Sequence, residues 1–571
     1  MNSLSIRLCA IPLVALNLHL FAQLAVAATP PSTVAAPPSA GAPPPPTAAQ
    51  PAIDEAAVRS ALVASGSLPR DVRRWRADLL TMYASRHWQL LWTTPAGVSG
   101  AAQRMLAILA DAASFGLEPR DYAPVELASA AQHLAAAKSP SLVSRGQFDA
   151  LLSTITARFV SDLHSGRVDP RELGHDLDVP HAALDVGIAV AAIAGSSDVA
   201  GVIADHEPEF SHYDLLKEAL AKYRVLAADP GLTQLPAPPA HGVKAGESYL
   251  GVAALRRLLV ALGDMLQDSG SDTLIDEPLA AAIRSFQERH GLSADGTVNA
   301  ATYKALSTPL STRVKQIEYS LERSRWLPPR LDSPPILVNI PQFQLFGFYT
   351  TADKEALLLK MKVIVGKTFP RNHTPVFAAD MRYIIVRPYW DVPGDIVRNE
   401  LIGKIRANPG WLARNGFEMV SGQGDDGAGM PATAANIAAL ARGALRLRQK
   451  PGDNNSLGLV KLIFPNRYNV YLHGTPAQNL FAATRRAFSH GCIRVEDPLS
   501  LAAFVLRDQP QWSRAALDAA SKLDHSTRIN LSKPVRVFIL YATSIVTESG
   551  RVLFFDDIYG QDRKLAAALA R

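Results

Sequence analysis

Between Leu8 and Leu24 the chain is apolar except for Asn17, His19 and Gln23, with Arg7 ahead of the run and Ala25-Val26-Ala27 behind it. A positive charge, an apolar core and a small-residue site in that order read as a secretory signal peptide over residues 1–27. A transmembrane anchor is the other reading of such a run, and Pro12, Asn17 and His19 argue against it. Residues 28–52 are almost wholly Pro, Ala, Ser and Thr, including Pro43-Pro44-Pro45-Pro46. Such a stretch buries no core and predicts an extended tether. From 53 to 245 apolar residues recur at three- and four-residue spacing, as in Met105-Leu106-Leu109-Ala112 and Phe148-Leu151-Leu152-Ile155-Phe159, which predicts a helical scaffold. Gly116-Leu117-Glu118-Pro119 and Gly174-His175-Asp176 read as helix ends.

Residues 246–310 carry three short amphipathic patterns: Leu255, Leu258, Leu259 and Leu262 before Gly263; Leu279, Ile283 and Phe286; then Tyr303 and Leu306. A tight turn, Gly291-Leu292-Ser293-Ala294-Asp295-Gly296, separates the last two. The run of Phe286-Gln287, Gly291-Leu292, Asp295-Gly296-Thr297, Thr302 and Leu306 resembles the three-helix peptidoglycan-binding module. A helix around Val314–Arg325, within a connecting segment 311–332, is expected to return to the scaffold.

From 333 to 571 the texture is that of strands. Ile336–Ile340, Leu357–Val365, Tyr383–Val386, Val535–Tyr541 and Val552–Phe555 are β-branched or aromatic and bounded by turn residues. Inside this mainly-β region, residues from about 396 to 449 form a Gly-rich segment read as a helical insertion, a candidate lid. The expected fold class is therefore multi-domain α + β.

Composition adds a few bounds. The 571 residues allow three or four domains, and 48% hydrophobic with 19% charged is ordinary globular material. The net charge is +6, and removal of residues 1–27 takes one arginine and no acid. This mild, dispersed excess suits an anionic polymer, and the absence of a basic stripe with interleaved aromatics speaks against nucleic acid. Of the two cysteines, Cys9 falls within the signal segment. The mature chain then holds a single thiol, Cys492, in an oxidising compartment where it has no intramolecular disulfide partner.

Cys492 sits in Ser489-His490-Gly491-Cys492-Ile493-Arg494, downstream of Asn469-Val470-Tyr471-Leu472-His473-Gly474. A thiol nucleophile needs a base, a group that orients the base, and donors for the oxyanion of a tetrahedral intermediate. A strand-like run places His473, and Gly491 lets the backbone turn sharply ahead of Cys492. Metal binding by His473, His490 and Cys492 lacks a zinc-type spacing. Gly366-Lys367-Thr368 lacks the first glycine of a phosphate loop, and Gly422-x-Gly424-x-x-Gly427 follows no convincing strand.

His473-Gly474 and Ser489–Arg494, at this spacing, resemble the signature of the L,D-transpeptidase (YkuD-type) catalytic domain. Val338-Asn339-Ile340-Pro341, Val365-Gly366-Lys367, Thr374-Pro375, Trp390-Asp391-Val392-Pro393, Asn455-Ser456-Leu457-Gly458 and Asp557-Ile558-Tyr559-Gly560 resemble pieces of its large periplasmic type, which combines a scaffold, a peptidoglycan-binding module and a lid. The resemblance implies Cys492 as nucleophile, His473 as base and the Gly474 carbonyl as its orienter, with His490 supporting the pocket. It implies an oxyanion hole from the N–H groups of Gly491 and Cys492 and the Tyr471 hydroxyl, a structural Ser489, Arg494 holding the loop or a substrate carboxylate, and Trp390 lining the cleft. No cofactor or metal is implied. The implied partners are peptidoglycan tetrapeptide stems as donor and acceptor, other cell-wall synthesis enzymes, and carbapenem β-lactams as inhibitors. The implied reaction is formation of 3→3 cross-links in the cell envelope.

Overall fold

The long helix Leu142–Ser165 organises the N-terminal half of the protein. Its N-terminus is capped by Ser141, whose hydroxyl accepts the Ser144 N–H at 3.1 Å, and its second half is buried on nearly every side, as expected of a helix at the centre of a bundle. Packed around it are Pro51–Ala64, Arg76–Ser85, Gly100–Ala110, Pro124–Ala136 and Val186–Gly195. Asp149, buried there, is well paired: its carboxylate accepts from Tyr83 Oη at 2.7 Å, Leu91 N at 2.8 Å and Trp92 N at 2.7 Å. Gly116 and Gly174, both with φ above +70°, end short 3-10 turns as the sequence suggests.

The computed structural model describes residues 51–64, 74–177, 183–267, 270–328, 333–351, 354–368, 372–422, 424 and 427–571. The signal-peptide reading and all but the end of the tether reading lie outside them. Residues Gln50–Arg571 form one unit. No helix among the described residues is long and apolar enough to cross a membrane. The first helix begins at Pro51, just inside the stretch read as tether.

Val252–Leu262, Glu277–Arg289 and Ala300–Leu306 make the three-helix module. Asp276 and Asn299 cap the second and third helices, and Gly263 ends the first at φ +85°. Gln287, fully buried, ties down the following turn. Its amide donates to Asp295 Oδ1, Thr297 O and Thr302 Oγ1, and its carbonyl accepts the Gly296 N–H. The core of the module is shared. Leu255, Ile283 and Phe286 pack with Leu216 and Leu220 of Ser211–Ala227 and with Ile317 of Leu310–Ser324. The strand expected near Val552 pairs with Ser544–Val546 instead of joining the large C-terminal sheet. Phe554 prefers this shared core, its ring 5.2 Å from that of Tyr223.

The C-terminal region is a sheet of nine strands: β1 (Ile336–Asn339), β2 (Gln344–Thr351), β3 (Lys354–Gly366), β4 (Phe377–Val386), β5 (Val460–Ile463), β6 (Leu472–His473), β7 (Ala487–Ser489), β8 (Ile493–Val495) and β9 (Thr527–Leu540). Their order is β7-β3-β8-β6-β5-β4-β9-β1-β2, and an added pairing of β2 with β3 closes the sheet on itself. Ile336, Val338, Val363, Val365, Ile384, Val460, Leu462, Leu472, Ile493 and Val495 fill one face as the core. The scaffold reaches this sheet directly, since Asp176 bridges to Phe377. The Glu322 carboxylate accepts the N–H groups of Arg167 and Val168 at 2.7 and 3.0 Å.

The insertion is not purely helical, which corrects the sequence expectation. Phe417–Val420, Gly429–Met430 and Arg446–Gln449 form, with Trp390–Asp391, a separate four-stranded sheet. Short helices, among them Ile402–Ala407 and Ala434–Ala441, pack on it around Ile405, Leu412, Met419, Ile437 and Leu447. The strand segments are only two to four residues long, too short for a period-2 signal to stand out.

Replacing Gln287 by Leu strips the turn of its buried partners and should cost about 2–3 kcal/mol. Urea unfolding checks the loss, and hydrogen exchange should rise at residues 291–297 before it rises in the closed sheet.

Candidate active site

Period-2 alternation divides β5, β6 and β8 into a core side and an outer side. Leu462, Leu472, Ile493 and Val495 point into the core. Their sequence neighbours Lys461, His473 and Arg494 therefore occupy the opposite face. Register aligns these three across the sheet: Lys461 lies opposite His473, and His473 opposite Arg494. One step earlier along β6 and β8, Tyr471 and Cys492 share that face, and Ile493 N donates to Tyr471 O at 3.1 Å. Parallel pairing thus brings together two motifs that are separate in sequence.

His473 is buried. Its Nδ1 lies 2.6 Å from the Gly474 carbonyl oxygen; Nδ1–H donating there leaves Nε2 as the acceptor of the neutral ring. Burial, then the Arg494 guanidinium, pushes the imidazole down to about 3, so it stays neutral at physiological pH. A Cβ on Gly474 would press tightly on the Pro498 ring and on the backbone of Gly458 and Leu457. Gly458, at φ +64°, is pressed in turn against Gly474 and Thr475 N. Asn455 builds this contact: its side-chain N–H groups donate to Pro388 O and Lys450 O, and its carbonyl accepts the Leu457 N–H.

Cys492 is half-buried and carries a free thiol 3.7 Å from the Asn469 carbonyl oxygen. Burial pushes the thiol up, while hydrogen bonds from Tyr471 and the charges of Lys461 and Arg494 pull it down. Burial and the adjacent Cys492 sulfur also hold the Tyr471 phenol well above its ordinary value, so the hydroxyl remains a donor. The indole of Trp390 faces that hydroxyl, and the Lys461 ammonium lies 4.1 Å from the Tyr471 ring centroid.

The loop before Cys492 is braced from several sides. Ser489 Oγ donates to Cys492 O at 2.6 Å and accepts the Gly491 N–H at 3.2 Å. That bond engages the Gly491 N–H within the loop. Gly491 adopts φ +118°, a conformation that only glycine takes readily. Thr374 Oγ1 donates to Gly491 O at 2.8 Å and accepts the Gly366 N–H at 2.9 Å. Tyr559 Oη donates to Gly366 O at 2.6 Å.

His490 is exposed and turned to the insertion, its Nε2 lying 2.6 Å from Glu400 Oε1. Glu400 belongs to a π-helical turn, Val397–Leu401, a distortion common at functional sites. Trp390 packs 6.1 Å from Phe417 and so joins the insertion's core to the site. Arg494 is half-buried, and its Nε has no hydrogen-bond partner. Nothing in the sequence singles out Lys461 or Glu400. Each belongs to the site only through register or through the fold of the insertion.

Comparison with known proteins assigns the class. Residues 334–533 match the L,D-transpeptidase catalytic domain, residues 77–220 a scaffold domain, and residues 248–306 the family described as "Putative peptidoglycan binding domain". The chain is 33% identical over 235 residues to a "Putative L,D-transpeptidase" of Haemophilus influenzae, a match covering 41% of this chain and 45% of that protein. The matched region spans about half the length of that relative. The chain therefore carries a YkuD-type L,D-transpeptidase catalytic domain joined to a scaffold and a peptidoglycan-binding domain.

Histidine 473 also gives stability a pH dependence. Its folded value near 3 lies below the ~6.5 of an unfolded histidine, so between those values the unfolded chain binds more protons. The contribution is complete above about pH 6.5 and declines as the pH falls toward 3. Urea midpoints measured from pH 7 to 4.5 should decline less steeply in His473→Gln than in the parent protein.

Proposed function

We propose that the protein is an exported, periplasmic L,D-transpeptidase that joins peptidoglycan stems through a thioester on Cys492. The observation that carries this reading is the placement of Cys492, Tyr471 and a neutral, carbonyl-anchored His473 on one sheet face. In the reaction, His473 Nε2 takes the Sγ proton as sulfur attacks the carbonyl of the third residue of a tetrapeptide stem. The oxyanion is met by the Cys492 N–H and the Tyr471 hydroxyl. The imidazolium returns its proton to the departing amine, and the terminal D-alanine leaves. A side-chain amine of a second stem then attacks the thioester and gives a 3→3 cross-link. A low imidazolium pKa favours the return of the proton, because the charged ring is never comfortable between burial and the Arg494 guanidinium.

Mass spectrometry of purified disaccharide-tetrapeptide tests the reading. The mature protein should yield a dimer with loss of one D-alanine, and Cys492→Ala should yield none. Tripeptide as the sole product would make water the acceptor. Exchange with an added D-amino acid or transfer to a lipoprotein lysine would reassign the acceptor while keeping the thioester. No change in substrate would point to a wall-binding protein without catalysis. Carbapenems, as mimics of the donor, should acylate the same sulfur.

The insertion is the proposed lid. Its contact with the motif loop through Glu400 and His490 supports closure over the thioester, where exclusion of water protects the intermediate. Deletion of residues 396–449 should raise the ratio of hydrolysis to cross-linking, though it also strands Trp390–Asp391 without a sheet. Glu400→Ala is the milder probe and should raise that ratio about two- to five-fold, the worth of one hydrogen bond. An unchanged ratio in both would remove the lid.

A further inference from the structure

The outer face of the sheet continues beyond His473, away from Cys492. From His473 on β6 the register runs through Lys461 on β5 and Ile385 on β4 to Arg528 on β9. Two residues along, Ile463, Tyr383 and Asn530 stand opposite one another on β5, β4 and β9. Their neighbours Leu462, Ile384 and Ile529 lie in the core, so both rows point away from it. Ile385, Ile463 and Tyr383 are half-buried, and Arg528 and Asn530 are exposed. The Arg528 guanidinium lies 3.7 Å from the Tyr383 ring centroid, and its Nε donates to Asn530 Oδ1 at 3.2 Å. Stack and hydrogen bond together pre-set the guanidinium plane. Other arginines on these strands are taken: Arg536 pairs with Asp380 at 2.8 Å and Arg387 with Asp453 at 2.9 Å. Arg528 forms no ion pair among the described residues. Adjacent strands are about 4.8 Å apart, so three steps place Arg528 about 14 Å from His473. A four-residue peptide spans up to about 14 Å.

We propose that the face carrying Ile385, Ile463, Tyr383 and Arg528 is the subsite of the acyl acceptor, a peptide stem whose carboxylate pairs with Arg528 while its amine reaches His473. This rests on the acyl-transfer reading of the site. Cys492 lies on β8, to one side of His473, and the donor acyl group is held there on sulfur. The row to Arg528 leaves His473 on the opposite side, so a second stem seated on it meets the thioester without displacing the first. In the transfer the amine nitrogen bonds to the thioester carbonyl carbon. Its proton passes through His473 Nε2 to the departing Cys492 sulfur. Ile385 and Ile463 supply an apolar floor, and Arg528 supplies a forked, charge-assisted contact. Water gains nothing from this face, and a single amino acid is too short to touch both His473 and Arg528. The subsite therefore selects a stem over the small acceptors and directs the thioester to cross-linking.

The test holds the tetrapeptide donor at saturation and offers the full-length protein two acceptors. One is a tripeptide stem, which has no fourth residue to lose and so acts as acceptor alone. The other is a free D-amino acid. Mass spectrometry gives the ratio of their kcat/KM values. Arg528→Gln should lower the ratio of stem to amino acid about 3- to 10-fold through the KM of the stem, the range of a charged contact at an exposed site. Tyr383→Leu, which removes the stack, should act in the same direction, and Arg528→Lys should keep part of the preference. The parent protein should lose the same factor with a stem whose carboxylates are amidated, and Arg528→Gln should use free and amidated stems equally. An unchanged ratio in Arg528→Gln and Tyr383→Leu overturns the subsite. Equal use of free and amidated stems by the parent protein overturns it without any variant, and so does an effect of Arg528→Gln on the donor KM alone. If no donor is consumed, the transpeptidase reading fails, and calorimetry of the tripeptide stem with Cys492→Ala decides the subsite by itself. Binding that weakens when Arg528→Gln is added upholds it, and binding that is absent or unmoved overturns it.

Discussion

Two short strands, Leu472–His473 and Ile493–Val495, run side by side in parallel, and their hydrogen-bond register is the constraint on which the site depends. Because side chains alternate across a strand, anchoring Leu472, Ile493 and Val495 in the core sends His473, Cys492 and Arg494 to the other face. A slip of one residue in either strand would drive a charged or reactive side chain into the core and a leucine or isoleucine out of it. The apolar core therefore fixes which of these side chains share the outer face.

The second requirement is a backbone that can bend where the strand begins. Gly491 at φ +118° provides the bend, and three hydroxyls secure it: Ser489 within the loop, Thr374 from the segment crossing Gly366, and Tyr559 from the C-terminal region. A Cβ on Gly366 would strike the backbone of Asn372 and Thr374. Several short motif fragments thus share one task, which is to hold the loop that presents Cys492. Asn339, in another of them, bonds both the N–H and the carbonyl at Ala542 and fixes β1 against β9.

Electrostatics at the site are opposed by design. Burial raises the thiol and lowers the imidazole, so the pair rests as neutral thiol and neutral ring and not as thiolate and imidazolium. A resting neutral thiol is the less reactive form toward oxidants. The insertion meets this site through Trp390 and through Glu400 at His490. Its own small core lets it hold a shape of its own over the larger sheet.

The sequence by itself determined the succession of helical and strand-rich regions, the three-helix module with its DG turn, and the residues of the two His-Gly motifs. These are local signals, readable from spacing, turn chemistry and period. The tertiary structure decided what no local signal contains. It took Val552–Phe554 out of the catalytic sheet and into the module's core, because Phe554 finds Tyr223 and His290 there. It gave the insertion a sheet of two- to four-residue strands, below the length at which alternation is legible. It bonded the Gly491 N–H to Ser489, and it drew Lys461 and Glu400 into the site. A lysine within Val460–Ile463 carries no mark of its role in the sequence, since its position beside His473 exists only once the strands are in register.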